Sequence, residues 1–386
     1  MSTVTSSAIN TPRIDYNPDT GLLRGLLIEE QRINELVDKR DLNGAAWATF
    51  GTGSVTQDQP GIDRVANKAW TITDSSAANA YQKKQAITVP DDSNLHIVSI
   101  YIKKTSATHY CGFSLALTGG STPKNSASIG FVGLAPSNGA ESTQGGNIDL
   151  HEVHDAGDYW RLIGGITNNT TGNVTLTVAL YPAANTTGAA SVDATTTGSM
   201  IYDWGQVELN AKFASSPIPD GVGAVTRAAD IATSTITGGM PAEFSVVFYG
   251  TTAPGLNVLT SQHLFDYSDN TADNRFRIFR AVTTGHITSN STVATVATIN
   301  GQTILASSTN LTALKVAVAI RGGDVKVSVN GGAVQTFTGV VATSTFTDRD
   351  IGQNYLAAQQ WNGWIKNFTE YHRPLSDAEL IAASTL

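Results

Sequence analysis

Cysteine is almost missing from this chain: Cys111 is the only one in 386 residues. A single thiol excludes an intrachain disulfide and a zinc site built from several thiolates. Charge is sparse too, at 15% of residues, against roughly 25% in an average soluble protein. The 24 Lys and Arg are outnumbered by 32 Asp and Glu, giving a net charge of −8. A general phosphate-backbone binder needs clustered cations, so no nucleic-acid partner is expected. No apolar run approaches the roughly 18–20 residues that cross a bilayer, and no membrane insertion is expected. The opening MSTVTSSAINTPRIDYNP has neither the basic start nor the apolar stretch of a secretory signal.

What is present is mostly small and uncharged: Thr, Ser, Ala and Asn in excess and 36 Gly, with 41% hydrophobic residues. That composition suits proteins that work outside cells. With no export signal to read, the expectation is folding in a cytoplasm followed by a route outside other than secretion.

Helical periodicity is scarce. IEEQRINELVDKRDL (28–42) carries a short apolar stripe at Ile33, Leu36 and Val37 and predicts a helix. A second is predicted in the tail from Ser376, where Glu379 three residues on completes a capping box. Nearly everything else alternates with period two between Gly, Asn, Asp and Pro clusters, as in LHIVSIYIKK (95–104), ASIGFVGLA (127–135), NVTLTVALYP (173–182) and RFRIFRAV (275–282). LKVAVAIRGGDVKVSVNGGAV (314–334) reads as a hairpin whose GGD turn supplies positive φ.

The fold class expected is therefore all-β: two tandem antiparallel β-sandwiches behind an extended N-terminal arm. The prolines of SPIPDG mark a linker at 214–235, between a first sandwich at 45–213 and a second at 236–386. Residues 1–44 form the arm, expected to lie on a partner or on the first sandwich; deleting residues 1–40 is expected to leave both sandwiches folded but absent from the assembly.

TPRIDYNPDTGLLRGLLIEEQRINEL (11–36), DLNGAAW (41–47), VHDAGDYWRLIGGIT (153–167), DWGQVEL (203–209), SSPIPD (215–220) and VTRAADIAT (225–233) follow one another in this order. Together they resemble a module of tailed-phage virion proteins: an arm, a jelly-roll sandwich, a W-G-x-Q-x-E segment and a TRAAD sequence. The family more often has an apolar run where INELVDKRD stands. VKVSVNGGAVQTF (325–337), DIGQNY (350–355) and WNGWIKNFTEYHRPLSDAEL (361–380) resemble concanavalin-A-like, laminin-G-like sandwiches. The resemblance implies a structural virion component, such as a tail fibre, spike or decoration protein, located on the particle. It implies an arm docked on other virion proteins through Arg13, Tyr16, Leu26, Ile28 and Arg32, and self-association as a homotrimer by analogy with fibres. A host-surface glycan is the expected external partner. A purely architectural role and a polysaccharide depolymerase are the alternatives.

No motif carries an enzyme's chemistry. HEVHDAGD (151–158) spaces its histidines at i and i+3 in a strand-like segment, so they point to opposite faces and do not form a helical zinc pair. Paired carboxylates for glycoside hydrolysis are not legible, because DRD (348–350) and DYSD (266–269) read as solvated loops. Asp266, Asp269, Asp273 and Asn270 could offer oxygens to Ca²⁺, but their spacing is not that of an EF-hand loop. An Asx-turn loop is the better reading there, and no cofactor is expected. For sugar binding, Trp364 stands out, since alternation turns it away from Trp361 and Ile365 among polar neighbours. It marks a ligand platform or a buried contact with another domain or subunit, the contact being favoured. Tyr267, Arg349, Asn354 and Tyr355 are expected in rim loops beside it.

Overall fold

The computed structural model describes residues 13–16, 22–124, 130–144, 148–184, 195–218, 220–221, 223–252, 260–282, 284–305 and 313–386. Residues 1–12 and 17–21 of the expected arm, and 127–129 of the strand expected at 127–135, lie outside them. In chain order the strands are β1 (Arg13–Tyr16), β2 (Leu23–Ile28), β3 (Arg32–Asn34), β4 (Ala48–Phe50), β5 (Gly53–Gln59), β6 (Ala69–Asp74), β7 (Gln82–Thr88) and β8 (Leu95–Lys103). Then come β9 (Tyr110–Thr118), β10 (Gly130–Leu134), β11 (Glu141–Gln144), β12 (Leu150–Ala156), β13 (Tyr159–Thr167), β14 (Thr175–Ala184), β15 (Gly198–Glu208) and β16 (Val225–Arg227). The rest are β17 (Thr233–Thr235), β18 (Phe244–Thr252), β19 (Gln262–Ser268), β20 (Arg275–Arg280), β21 (Ile287–Val293), β22 (Val296–Leu305), β23 (Ala313–Arg321), β24 (Asp324–Val329), β25 (Gln335–Thr338), β26 (Asp348–Ile351), β27 (Gly363–Tyr371) and a helix, α1 (Asp377–Ser384).

Two compact units emerge: Arg32–Arg227 forms one, and 13–16, 22–31 and 228–386 form the other. The first is a sandwich of two six-stranded antiparallel sheets, ordered β11-β10-β9-β14-β7-β4 and β12-β13-β8-β15-β6-β5. Alternation sends Phe113, Leu115 and Leu117 of β9 and Val178 and Leu180 of β14 into one core with Val98, Ile100 and Ile102 of β8. The W-G-x-Q-x-E residues fasten the proline segment that follows. Trp204 Nε1 donates to the Ile218 carbonyl at 3.1 Å, Gln206 Oε1 accepts from Ile218 N at 2.9 Å, and Glu208 accepts from Ser215 N at 3.0 Å.

The helix expected over 28–42 does not form. The segment is extended at β3, which pairs with β16, and turns follow it. Asn34 Oδ1 accepts from Leu36 N at 3.1 Å and from Val207 N at 3.0 Å, giving the backbone polar partners that a helix would have supplied. Only Leu36 of the presumed stripe enters the core, while Ile33 is exposed.

The second unit sandwiches a seven-stranded sheet, β1-β2-β27-β18-β23-β24-β25, against a six-stranded one, β17-β26-β19-β20-β21-β22. Phe244, Val246 and Phe248 of β18 meet Phe265 and Tyr267 of β19 and Phe276 and Ile278 of β20 in its core. The GGD hairpin joins β23 to β24 with positive φ at Gly322 and Gly323. Helix α1 has the capping box, Ser376 and Glu379 each bonding the other's backbone N–H.

The described part of the arm is corrected here. Its strands β1 and β2 continue the seven-stranded sheet, with Leu26 opposite Ile365 and Leu27 opposite Trp364. Ile28 is buried in the second core, worth roughly 1.5–3 kcal/mol by the usual transfer figure. Gly25, at φ +131°, permits this pairing, since a Cβ there would lie 2.4 Å from the Ile365 carbonyl oxygen. Arg13 pairs with Glu29 at 2.9 Å and with Asp230 of the TRAAD sequence. Removing residues 1–40 would therefore strip two edge strands from this sheet.

Candidate functional site

The face of the six-stranded sheet turned away from the second core is polar, and it is built from side chains that alternation places there. On β20, Phe276 and Ile278 face the core, so Arg275, Arg277 and Phe279 share the opposite face. Register then aligns one transverse row over five neighbouring strands. Thr233 pairs with Asp350, Asp350 with Asp266, Asp266 with Arg277, and Arg277 with Asn290.

The carboxylates of the row are engaged. Asp266, fully buried, ion-pairs with Arg275 and lies 3.7 Å from His263 Nδ1. Burial raises its carboxyl to about 6 despite the two arginines. Asp350 accepts from Thr233 Oγ1 and, at 3.1 Å, from Gln353 Nε2. Burial raises this carboxyl as well. Each of the two carboxylates is at most 2% exposed and already hydrogen-bonded or ion-paired.

Aromatic rings floor and flank the row. His263 stacks on Phe279 at 5.4 Å and 20° between planes. Burial, then the charges of Arg277 and Arg275, hold its imidazole well below the usual range, so it is neutral at pH 7. Arg277 lies over Phe279 at 4.7 Å and Arg275 over Tyr355 at 4.6 Å. Arg277, Phe279, Asn290 and Tyr355 are only half-buried, so the Arg277–Asn290 end of the row is its accessible part.

Of the five residues expected to bind ligand, only Tyr355 belongs to this face. Tyr267 is fully buried, its ring against Phe244 at 5.4 Å and its hydroxyl on Glu370, because it is one residue out of phase with Asp266. Arg349 stands opposite Tyr267 and is held by Glu370 and by Ser234 Oγ. Asn354 is a buried loop organiser, its Oδ1 accepting from Leu356 N at 3.1 Å and Ala358 N at 2.9 Å. Trp364 is on the other sheet, where Nε1 donates to Asp15 Oδ2 at 2.6 Å and Arg24 covers its ring at 5.2 Å. Its polar contact is thus made within the chain, to the N-terminal strands.

The calcium candidates are not gathered either. Asp266 is on β19, while Asp269 accepts from Thr271 N at 3.0 Å and Asn274 Nδ2 at 2.7 Å, an Asx turn; Asp273 N donates to Thr271 Oγ1. Among the described residues no group of three His, Cys, Asp or Glu side chains is placed to hold a metal. Asp266, Asp348 and Asp350, read from sequence as loop carboxylates, are strand residues. His151 and His154 lie on β12, where each faces a glutamate, Glu141 and Glu152. Of the expected docking residues, Arg13, Leu26 and Ile28 are engaged in the second unit, and Arg32 lies over the Phe213 ring at 5.1 Å in the first. Tyr16 is exposed. The residues that build the polar face, His263, Arg275, Arg277 and Phe279, were missed, although the R-F-R-I-F alternation was legible.

No family model and no curated protein sequence matches the chain. Similar solved structures include the CBM40 of the Ruminococcus gnavus IT-sialidase, at 16% identity over 38% of this chain and 84% of that one, with a TM-score of 0.30. The mouse laminin alpha1 LG4-5 domains align at 11% identity over 80% of this chain and 91% of theirs, with a TM-score of 0.25. The CBM22-1-CBM22-2 tandem of Paenibacillus barcinonensis Xyn10C aligns at 9% over 94% of each chain, with a TM-score of 0.27. At such scores these likenesses carry no functional argument, and the reading below stands on the chain's own residues.

Proposed function

We propose that this chain is a non-enzymatic structural component of a tailed-phage virion, on which its second sandwich serves host-surface attachment by binding a glycan. The observation that carries glycan binding is the Thr233–Asp350–Asp266–Arg277–Asn290 row with half-buried Phe279 and Tyr355 beside it. Sugars are held by just such a mixture: planar polar groups that read hydroxyls, and aromatic faces that cover the apolar side of a pyranose. The virion assignment rests on the ordered motifs of residues 11–235. Some of these act in pairs, as Arg13 of the PR motif does with Asp230 of TRAAD.

Individual sugar sites are weak, so copies held together on one particle would supply the avidity. Homotrimeric self-association and attachment to other virion proteins through the N-terminal segment complete the proposal. Exposed Tyr16, Ile14, Leu22 and Leu23 are the arm residues available for that contact.

The test is a glycan array probed with the full chain displayed multivalently on beads, together with antibody labelling of intact particles. Binding that Tyr355→Ala weakens supports attachment. Absence of binding to every glycan at high valency, with particles still labelled, would leave the architectural role.

A further inference from the structure

The polar face holds two arginines and one carboxylate that serves either of them. Asp266 is the partner of Arg275, and Asp350 is engaged by Thr233 and Gln353. Arg277 makes no hydrogen bond or ion pair with any described residue, its one close partner being the Phe279 ring beneath it, and its Nε is buried without an acceptor. Only Nε is buried without an acceptor, while the Nη donors, which no described residue bonds, are left to water or to a ligand that brings its own acceptors. The whole chain, at −8, would repel an anion, so recognition of one has to be local.

We infer that the glycan bound on this face is acidic, a pyranose bearing a carboxylate or a sulfate ester whose oxygens take the unengaged fork of Arg277. This deepens the proposed glycan site and rests on it. Arginine is suited to the task because its planar donors match two oxygens of a carboxylate or sulfate at once. Asn290, the register neighbour of Arg277 on β21, brings a half-buried amide to the same spot. Phe279 and Tyr355 are left to face the sugar ring. Burial and the neighbouring Arg275 lower the Arg277 guanidinium to about 10, only partly offset by Asp266, and a bound anion would reverse that penalty.

The full chain is titrated with acidic glycans, each paired with its own carboxyl-reduced or desulfated counterpart, and with inorganic sulfate alone. The expected result is at least about tenfold tighter binding of an acidic glycan than of its neutral counterpart, as befits one charge-assisted bidentate contact. Arg277→Met is expected to erase that difference while its melting temperature stays at the wild-type value. Arg277→Lys, which keeps the charge but not the fork, should keep part of it. Whether the carboxylate or the sulfate series shows the preference identifies the anion. Equal binding within every pair overturns the inference and leaves the glycan site standing. Inorganic sulfate bound as tightly as the glycans overturns it as well, reducing the site to an ion site. No binding of any glycan removes both readings.

Discussion

Arg40 in the first unit and Arg277 in the second are both arginines set into a polar cluster beneath the surface, but only one has counter-charges. Arg40 lies between two carboxylates, with Nε 2.8 Å from Asp203 Oδ1 and Nη1 2.6 Å from Asp63 Oδ2. Its guanidinium also covers the Trp204 ring at 4.6 Å. Burial alone would lower its pKa, but its hydrogen bonds to Asp63 and Asp203, with their charges, outweigh that and raise it. Arg277 has the opposite setting, a second arginine two residues away and its cross-strand carboxylate, Asp266, already paired. A network complete in itself is structural, because it holds its segments in place and offers nothing to a ligand. One left a counter-ion short is where a ligand has something to complete.

The sharpest way to break the comparison is Arg40→Met. It would strand Asp203, which is fully buried, without its counter-ion, and removing one partner of such a pair costs about 3–5 kcal/mol. Urea unfolding of the full chain, followed by Trp fluorescence, should show the transition of the first unit moving to lower denaturant. An unmoved transition would mean that the Arg40 network is no more structural than the polar face.

Asp266→Asn tests the second cluster through pH. Its carboxyl is raised in the folded chain from an ordinary 3.8 to about 6, so the folded state holds the proton more tightly than the unfolded one. Through this group, acidification from about pH 6 to pH 4 stabilises the fold, and that contribution is lost as pH rises through about 6. Asparagine is uncharged throughout. The variant should therefore match or exceed wild-type stability at pH 8, by at most about 3 kcal/mol, and converge with it near pH 4. A gap that widens on acidification would reverse the sign and remove the burial penalty from the account.

How far all this could be seen in the sequence depends on whether the signal was local. Strand alternation, the GGD turn and the Ser376–Glu379 capping box concern residues within a few positions of one another, and the structure has each. The pairing of β2 with β27 joins residues more than three hundred positions apart, and nothing local announces it. At 28–42 the apolar spacing was real, but the Asn34 side chain and the β16 partner decided against a helix. Tyr267, expected in a rim loop, lies on β19 and points into the core. A register shift between His263 and Phe265 lets His263 and Asp266 share the opposite face, which strict alternation would not show. Arg275 and Arg277 were legible as a pair on one face, but that one would lack a counter-ion depends on where Asp266 and Asp350 fall in the register.

Trp364→Phe supplies a third point, an arginine in a more open setting. Arg24 lies over the Trp364 ring and within 3.5 Å of Asp15, which also accepts the indole N–H. Phenylalanine keeps the ring and loses that hydrogen bond, so the expected cost is about 1 kcal/mol, read as a lower melting temperature for the second unit. Glycan binding should not change. A loss of binding without loss of stability would return Trp364 to the ligand site.

The smallest expected effect separates the two clusters most cleanly. Arg277→Met takes away a half-buried charge that repels Arg275 and that no described carboxylate holds. Methionine fills much of the same space over Phe279, and its sulfur suits an aromatic face. Within about 0.5 kcal/mol the second unit should be as stable as wild type, and any change should be a gain. If calorimetry instead shows a loss approaching that of Arg40→Met, then Arg277 is structural after all. The row on the six-stranded sheet would then be a closed network like the one around Arg40, with no vacancy for a ligand to fill.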